Sequence, residues 1–176
     1  EPLRTFQHAN AVRGVAFTPD GRTIIAGDRA GSIKTWSIDG GEPIHTARQS
    51  GTIQALAISS DGETLATGGT DKVVRLWNAR TLTEKLPLEG HTAPIYGLSF
   101  QKNGERLASV GWDRSLRIWD VRSGQQLRTW DGNSDDIWSV AYSPNGTRLA
   151  TGGSDGTVKV WNPETGDLVS TFVGHK

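Results

Sequence analysis

The sequence contains no cysteine and no methionine. Without thiols, disulfides and thiolate-bound metals are excluded from any account of how the chain holds together. It also lacks an excess of either charge: 19 Lys and Arg balance 19 Asp and Glu, with no run of five or more like charges. Binding along a phosphate backbone or to an anionic bilayer depends on a local surplus of Lys and Arg, so neither nucleic acid nor membrane is expected as a partner. No apolar run approaches the ~20 residues that a helical membrane span requires. Helix-period stretches of any length are missing too, which points to an all-β chain. The first residue is Glu1, with no Met or signal-like apolar segment. The chain is therefore expected to be processed or cut from something longer, and no compartment is legible from such an end.

What the sequence has in quantity is glycine, 22 residues of 176, and repetition. Four segments share one pattern: V-R-G-V-A-F from Val12, I-Q-A-L-A-I from Ile53, I-Y-G-L-S-F from Ile95 and I-W-S-V-A-Y from Ile137. Large apolar residues occupy the first, fourth and sixth positions, and Gly, Ala or Ser the third and fifth. Strict alternation would put the first on the wrong face, so a β-bulge just after it is expected, re-aiming the second side chain. The small residues suit a strand packed against a crowded centre. Asp20-Gly21, Asp61-Gly62, Asn103-Gly104 and Asn145-Gly146 follow, pairs that favour tight hairpins because both residues tolerate positive φ. Second strands start near Ile24, Leu65, Leu107 and Leu149, third strands end on Trp36, Trp77, Trp119 and Trp161, and a weaker fourth strand closes each unit.

Those tryptophans recur at steps of 41, 42 and 42 residues. With the stretch from Gly90 to Asp120, which carries Gly90-His91, Ser109, Asp113 and Trp119-Asp120, the layout resembles the WD40 family of β-propellers, whose repeats are about 40–45 residues with four strands each. The resemblance covers residues 3–175. It implies a single propeller segment over 1–176, with blades about 9–48, 49–89, 90–131 and 132–175. Residues 3–6, L-R-T-F, resemble Leu168 to Phe172 and are expected to be an orphan strand of a missing or partner blade. The Trp-Asp pair itself occurs only at Trp119-Asp120.

The same resemblance implies a hydrogen-bonded chain within each blade, formed by a His, a Ser or Thr, the turn Asp and a Trp. Its chemical sense is that the indole only donates, the carboxylate only accepts, and imidazole and hydroxyl relay between them. His91, Ser109, Asp113 and Trp119 make the complete set. The fourth repeat offers Asn133, Thr151, Asp155 and Trp161, and the second Gln49, Thr67, Asp71 and Trp77. The first keeps His8 and Trp36 but has Ala26 and Ala30 in the other places, and is expected to be the loosest blade. Ser109, His91 and Asp113 are also the ingredients of a nucleophilic triad. Their near-copies in other repeats, with Thr exchanged for Ser, favour the structural role. His8, His45, His91 and His175 do not cluster, since three share one repeat phase, so no metal site is expected; no cofactor is expected either.

Partner peptides of the family often dock on the face carrying the loop before the first strand and the turn between the second and third. Mapped residue by residue, the resemblance puts Pro94, Tyr96 and Trp112 there from the third blade, Asp136, Trp138 and Ser154 from the fourth, Thr52, Gln54 and Thr70 from the second, and Ala11, Arg13 and Arg29 from the first. Aromatics and arginine dominate binding hot spots, which singles out Tyr96, Trp112, Trp138, Arg13 and Arg29 as partner-binding candidates; Trp130 matches Phe172 and reads as packing. The expected function is a non-catalytic protein- or peptide-interaction scaffold closing its ring by self-association, a homodimer of four plus four blades. Two alternatives stand beside it: a regulatory propeller domain from a larger enzyme or signalling protein, and an enzyme hosted on the central channel, whose positions here are mostly Gly, Ala and Ser.

Overall fold

A computed structural model describes residues 4–131 and 135–174, and they form sixteen strands with no helix. Blade 1 comprises β1 (Val12–Phe17), β2 (Thr23–Asp28), β3 (Ser32–Ser37) and β4 (His45–Arg48). Blade 2 comprises β5 (Ile53–Ile58), β6 (Thr64–Gly69), β7 (Val74–Asn78) and β8 (Glu84–Leu88). Blade 3 comprises β9 (Ile95–Phe100), β10 (Arg106–Gly111), β11 (Ser115–Asp120) and β12 (Gln126–Asp131). Blade 4 comprises β13 (Ile137–Tyr142), β14 (Leu149–Gly153), β15 (Thr157–Trp161) and β16 (Leu168–Val173). Each blade is a four-stranded antiparallel meander. The innermost strands lie side by side, β1 against β5, β5 against β9 and β9 against β13. Small residues there let the backbones approach: a Cβ added at Gly97 would sit 3.0 Å from the Val140 nitrogen.

The bulge expected on each inner strand is present in all four blades. The ladder skips one residue between Val12 and Gly14, between Ile53 and Ala55, between Ile95 and Gly97, and between Ile137 and Ser139. The skipped residues are Arg13, Gln54, Tyr96 and Trp138, which lets the first apolar side chain rejoin the core face.

The Asp/Asn-Gly turns differ from the expectation. Only the glycines take positive φ, Gly21 at 69°, Gly62 at 73°, Gly104 at 74° and Gly146 at 72°. Each glycine N–H donates to the carbonyl three residues back, as from Gly21 to Thr18 at 2.8 Å. The Asp or Asn before it serves as a side-chain acceptor: Asp20 Oδ1 takes the Arg22 N–H at 3.0 Å and Asp61 Oδ1 the Glu63 N–H at 2.9 Å. These are wider loops with a type I turn, in which the short acidic or amide side chain closes the turn.

Core clusters occupy the three successive blade junctions. Between blades 2 and 3, for example, Ala66, Val74, Leu76 and Leu88 meet Ile95, Leu107 and Trp119. At the two ends of the array the corresponding side chains stay in solvent: Val12 is 48% exposed where Ile53 and Ile95 are 0%. Val15 and Phe17 are exposed beside it, as is Phe172 on blade 4, and Val158 and Val160 are half-buried where their equivalents Leu116 and Ile118 are buried. The four blades thus form an array with an apolar face open at each end.

The expected strand at residues 3–6 is not formed over its described part, Arg4–Phe6. The strand expected there belongs to a missing or partner blade, and within this chain Arg4–Phe6 join none of the four sheets. The segment is held instead by its side chains: Arg4 donates to the Asp39 carbonyl, and the Phe6 ring lies 5.8 Å from that of Trp36.

Candidate functional site

The polar chain of blade 3 is complete. The Trp119 indole N–H donates to Ser109 Oγ at 2.7 Å, Ser109 Oγ is 2.7 Å from His91 Nε2, and His91 Nδ1 is 2.7 Å from Asp113 Oδ2. With Trp119 donating to the serine oxygen, the serine hydroxyl donates onward to Nε2, and Nδ1–H is left to donate to the carboxylate. One tautomer of a neutral His91 satisfies every atom. Asp113 also accepts backbone N–H bonds from Thr92 and Ser115, at 3.0 and 3.2 Å. Burial opposes ionisation of Asp113, but the hydrogen bonds from His91, the Thr92 N–H and the Ser115 hydroxyl outweigh it and hold the carboxyl well below its ordinary range.

Ser109 is fully buried and bonded on both sides, so its oxygen offers no approach to a substrate. The constellation is a fastener that ties inner loop, second strand, turn and third strand together.

Blades 2 and 4 carry partial versions. Trp77 and Trp161 donate to Thr67 and Thr151, each at 2.9 Å. Thr67 donates to Gln49 Oε1, but the chain stops there: Gln49 Nε2 and Asp71 Oδ1 are buried without partners, and Asp71 pairs with Arg75 instead. Gln49 thus replaces only one of the two imidazole bonds. Asp155 accepts from the Thr157 N–H at 3.0 Å and pairs with Lys159. Asn133 and His175 lie outside the described residues.

Blade 1 obtains its carboxylate from a residue the sequence pattern does not mark. Asp28, two positions ahead of the expected site, is fully buried. It accepts from Ala30 N–H at 2.9 Å, Ser32 N–H at 2.8 Å and His8 Nδ1 at 3.1 Å. Ser32 is the counterpart of Ser115, so Asp28 fastens the same turn that Asp113 does. The other blades have glycine at this place, and a Cβ there would run into the Thr52 carbonyl at Gly69 and the Pro94 carbonyl at Gly111. The available signal was an Asp in place of Gly at 28, two residues ahead of an Ala in place of Asp at 30 in the same turn. What blade 1 lacks is the hydroxyl: Ala26 stands where Thr67 and Ser109 do, and His8 Nε2 is buried without a partner.

The exposed candidates are brought together by the bulges. Tyr96 stacks on Trp112 with ring centroids 4.7 Å apart, and Trp138 sets itself edgewise to both, at 4.8 and 5.3 Å. The Trp138 indole N–H donates to Ser154 Oγ at 2.6 Å. Trp112 and Trp138 remain 38% and 45% exposed despite these contacts. Arg13 and Arg29 are exposed on the corresponding end of blade 1. Arg13, Gln54, Tyr96 and Trp138, the four bulge residues, line one concavity of about 420 Å³ together with inner-strand residues. Trp130 is half-buried against the junction of blades 3 and 4, a packing position. Among the described residues no group of three His, Cys, Asp or Glu side chains is placed to hold a metal ion.

Against known proteins, the sequence model of the family described as WD domain, G-beta repeat matches residues 1–37, 41–78, 82–120 and 124–162. Each match ends at or just after a third-strand tryptophan, so the sequence repeat runs one strand out of step with the sheet. The chain is similar to the solved structure of U3-55K, with 27% identity and a TM-score of 0.89, over 97% of this chain and 54% of that one. It is similar also to the crystal structure of the RRP9 WD40 repeats, with 27% identity and a TM-score of 0.88, over 96% and 53%. The chain spans about half the length of these structures. No curated protein matches significantly.

Proposed function

Because the chain belongs to the WD domain, G-beta repeat family, whose repeats serve as protein-interaction scaffolds, we propose that it is a non-catalytic scaffold that binds a protein or peptide segment at Tyr96, Trp112 and Trp138, flanked by Arg13 and Arg29. The observation that carries this reading is the aromatic trio. Three large rings from adjacent blades sit at positions where the repeat varies, and two of them keep over a third of their surface in water. Core packing does not require them there, since Arg13, Gln54 and Thr70 hold the same places in blades 1 and 2. Aromatic rings contribute large contact area with few rotamers to immobilise, which suits them to recognition.

The scaffold completes its ring, in this reading, by pairing with a second copy. The open face of blade 1 carries the side chains that blades 2 to 4 bury against a preceding blade, and the open face of blade 4 is the kind of surface that receives them. Head and tail are therefore complementary, and two copies in a closed two-fold arrangement make eight blades without a new type of contact. Each half-exposed Val, Leu or Phe so covered contributes on the order of 1 kcal/mol.

Two measurements test the two halves of the proposal separately. Light scattering behind a sizing column, over a concentration series, should give about twice the 19.0 kDa chain mass. A monomer at all concentrations removes self-association. Trp138→Ala should abolish capture of whatever segment the wild type binds while leaving the urea midpoint within about 0.5 kcal/mol of wild type, the usual range for an exposed site. Loss of folding would assign Trp138 to the core and remove the binding surface.

A further inference from the structure

In blade 1 the two positions whose side chains touch one another in blades 3 and 4 are both arginine. The pair is the bulge residue of the inner strand and the residue of the turn after the second strand. In blade 3 these are Tyr96 and Trp112, ring against ring at 4.7 Å, and in blade 4 they are Trp138 and Ser154, joined by a 2.6 Å hydrogen bond. The same bulge and the same turn position Arg13 and Arg29, and the Arg29 N–H is bonded to the Ala11 carbonyl at 3.0 Å, which holds the turn against the strand entry. Both side chains are exposed, and among the described residues neither forms an ion pair. Two guanidinium groups carried at such adjacent positions repel each other, and an anion between them relieves that repulsion. The planar fork of arginine matches a carboxylate in two-point contact, so a pair of forks makes a specific seat for one.

Among the described residues, Arg13 is the one charged residue lining the concavity beside this pair. Arg13, Gln54, Tyr96 and Trp138 line its rim, and no carboxylate is among its lining residues. Arg13 and Trp138 border one space of about 420 Å³, so a single short segment reaches both.

We propose that Arg13 and Arg29 form a carboxylate clamp, and that the partner is an acidic peptide segment. Its Asp or Glu side chain is held by both guanidiniums while a nearby aromatic side chain lies on Trp138 and Tyr96. The proposal rests on the reading of this surface as the partner-binding one and adds the chemistry of the partner.

The test uses four capped, fluorescein-labelled decapeptides of equal length, read by anisotropy at two salt concentrations. One alternates Glu with Trp, one has Glu with Ala, one has Lys with Trp, and one has phosphoserine in place of Glu beside Trp. The Glu–Trp peptide should bind at least tenfold more tightly than the Lys–Trp and Glu–Ala peptides, and more weakly as salt rises. Arg13→Gln and Arg29→Gln should each lower its affinity about tenfold and flatten the salt dependence, and both lie on the surface, where folding is readily checked by urea unfolding. Preference for the Lys–Trp peptide, sensitive to Trp138→Ala but not to Arg13→Gln, overturns the clamp and leaves the binding surface standing. Binding of the phosphoserine peptide alone overturns the carboxylate as the recognised group. Absence of binding by all four overturns the clamp, whereas the mass measurement and the Trp138→Ala capture assay continue to test the scaffold itself.

Discussion

Replacing Ser109 with Ala isolates the polar chain of blade 3. The substitution removes one oxygen atom and nothing else, yet that oxygen accepts from the Trp119 indole at 2.7 Å and serves His91 Nε2 at 2.7 Å. Ser109, Trp119 and His91 are all buried, so neither freed group gains water in exchange. An orphaned buried polar group costs about 1–3 kcal/mol, and two orphans from one atom are expected to cost about 3 kcal/mol together. That is a large part of the ~5–15 kcal/mol by which a domain is stable. Equilibrium urea unfolding followed by tryptophan fluorescence should show a lower midpoint with an unchanged slope. Ser109→Thr is the control, because Thr67 and Thr151 hold the same register position and accept from their own tryptophans at 2.9 Å; it should stay within about 1 kcal/mol of wild type. A Ser109→Ala protein equally close to wild type would refute the claim that the chain is a fastener.

Ala26→Thr is the converse experiment: it supplies the missing hydroxyl to His8 Nε2, buried and unpartnered, and should raise the urea midpoint by the equivalent of about 1 kcal/mol. Asp113→Asn should alter the acid limb of stability. The folded-state carboxyl is held below its ordinary value of 3.8, so the stabilisation it gives is fully present above that value and is lost as pH falls below about 4. Urea midpoints at pH 7 and pH 3 should therefore converge in the variant relative to wild type, with the variant already weaker at pH 7. Lys72 takes a left-handed φ of 68° where blades 1 and 4 place Gly31 at 81° and Gly156 at 73°. Lys72→Gly should raise the melting temperature by a few degrees, equivalent to about 0.5–1 kcal/mol after the entropy of the added glycine is counted; an unchanged or lower value would show that the strain is relieved elsewhere.

The repeat was legible because its signals are local. Tryptophan spacing, the alternation of large and small residues on the inner strands and the Asp/Asn-Gly turns each depend on neighbours a few residues apart. The bulge after Val12, Ile53, Ile95 and Ile137 followed from the same reasoning, since only an extra residue reconciles those apolar positions with one core face. The turn geometry was less legible: an Asp or Asn that tolerates positive φ also carries an acceptor, and here bonding the backbone two residues ahead wins over adopting that φ. Arg4–Phe6 resembled a strand because its side chains repeat those of β16, but pairing requires a partner edge, which no local pattern supplies.

The sequence by itself determined the four meanders, the residues of the His91–Ser109–Trp119–Asp113 chain and the set of outward positions holding Tyr96, Trp112, Trp138, Arg13 and Arg29. Tertiary structure decided what those residues do to one another. Asp28 reaches His8 across twenty residues, and whether its carboxylate replaces the absent one at position 30 depends on the path of the turn in space. Tyr96 and Trp112 meet within blade 3, and Trp138 of blade 4 reaches them at 4.8 and 5.3 Å only because neighbouring blades pack their bulges side by side. The burial of Ile53, Ile95 and Ile137 against the exposure of Val12 likewise follows from which blade has a neighbour. Periodicity is a property of one strand or one turn, whereas contact between repeats is set by how whole sheets stack, and that is where the surface of this protein is made.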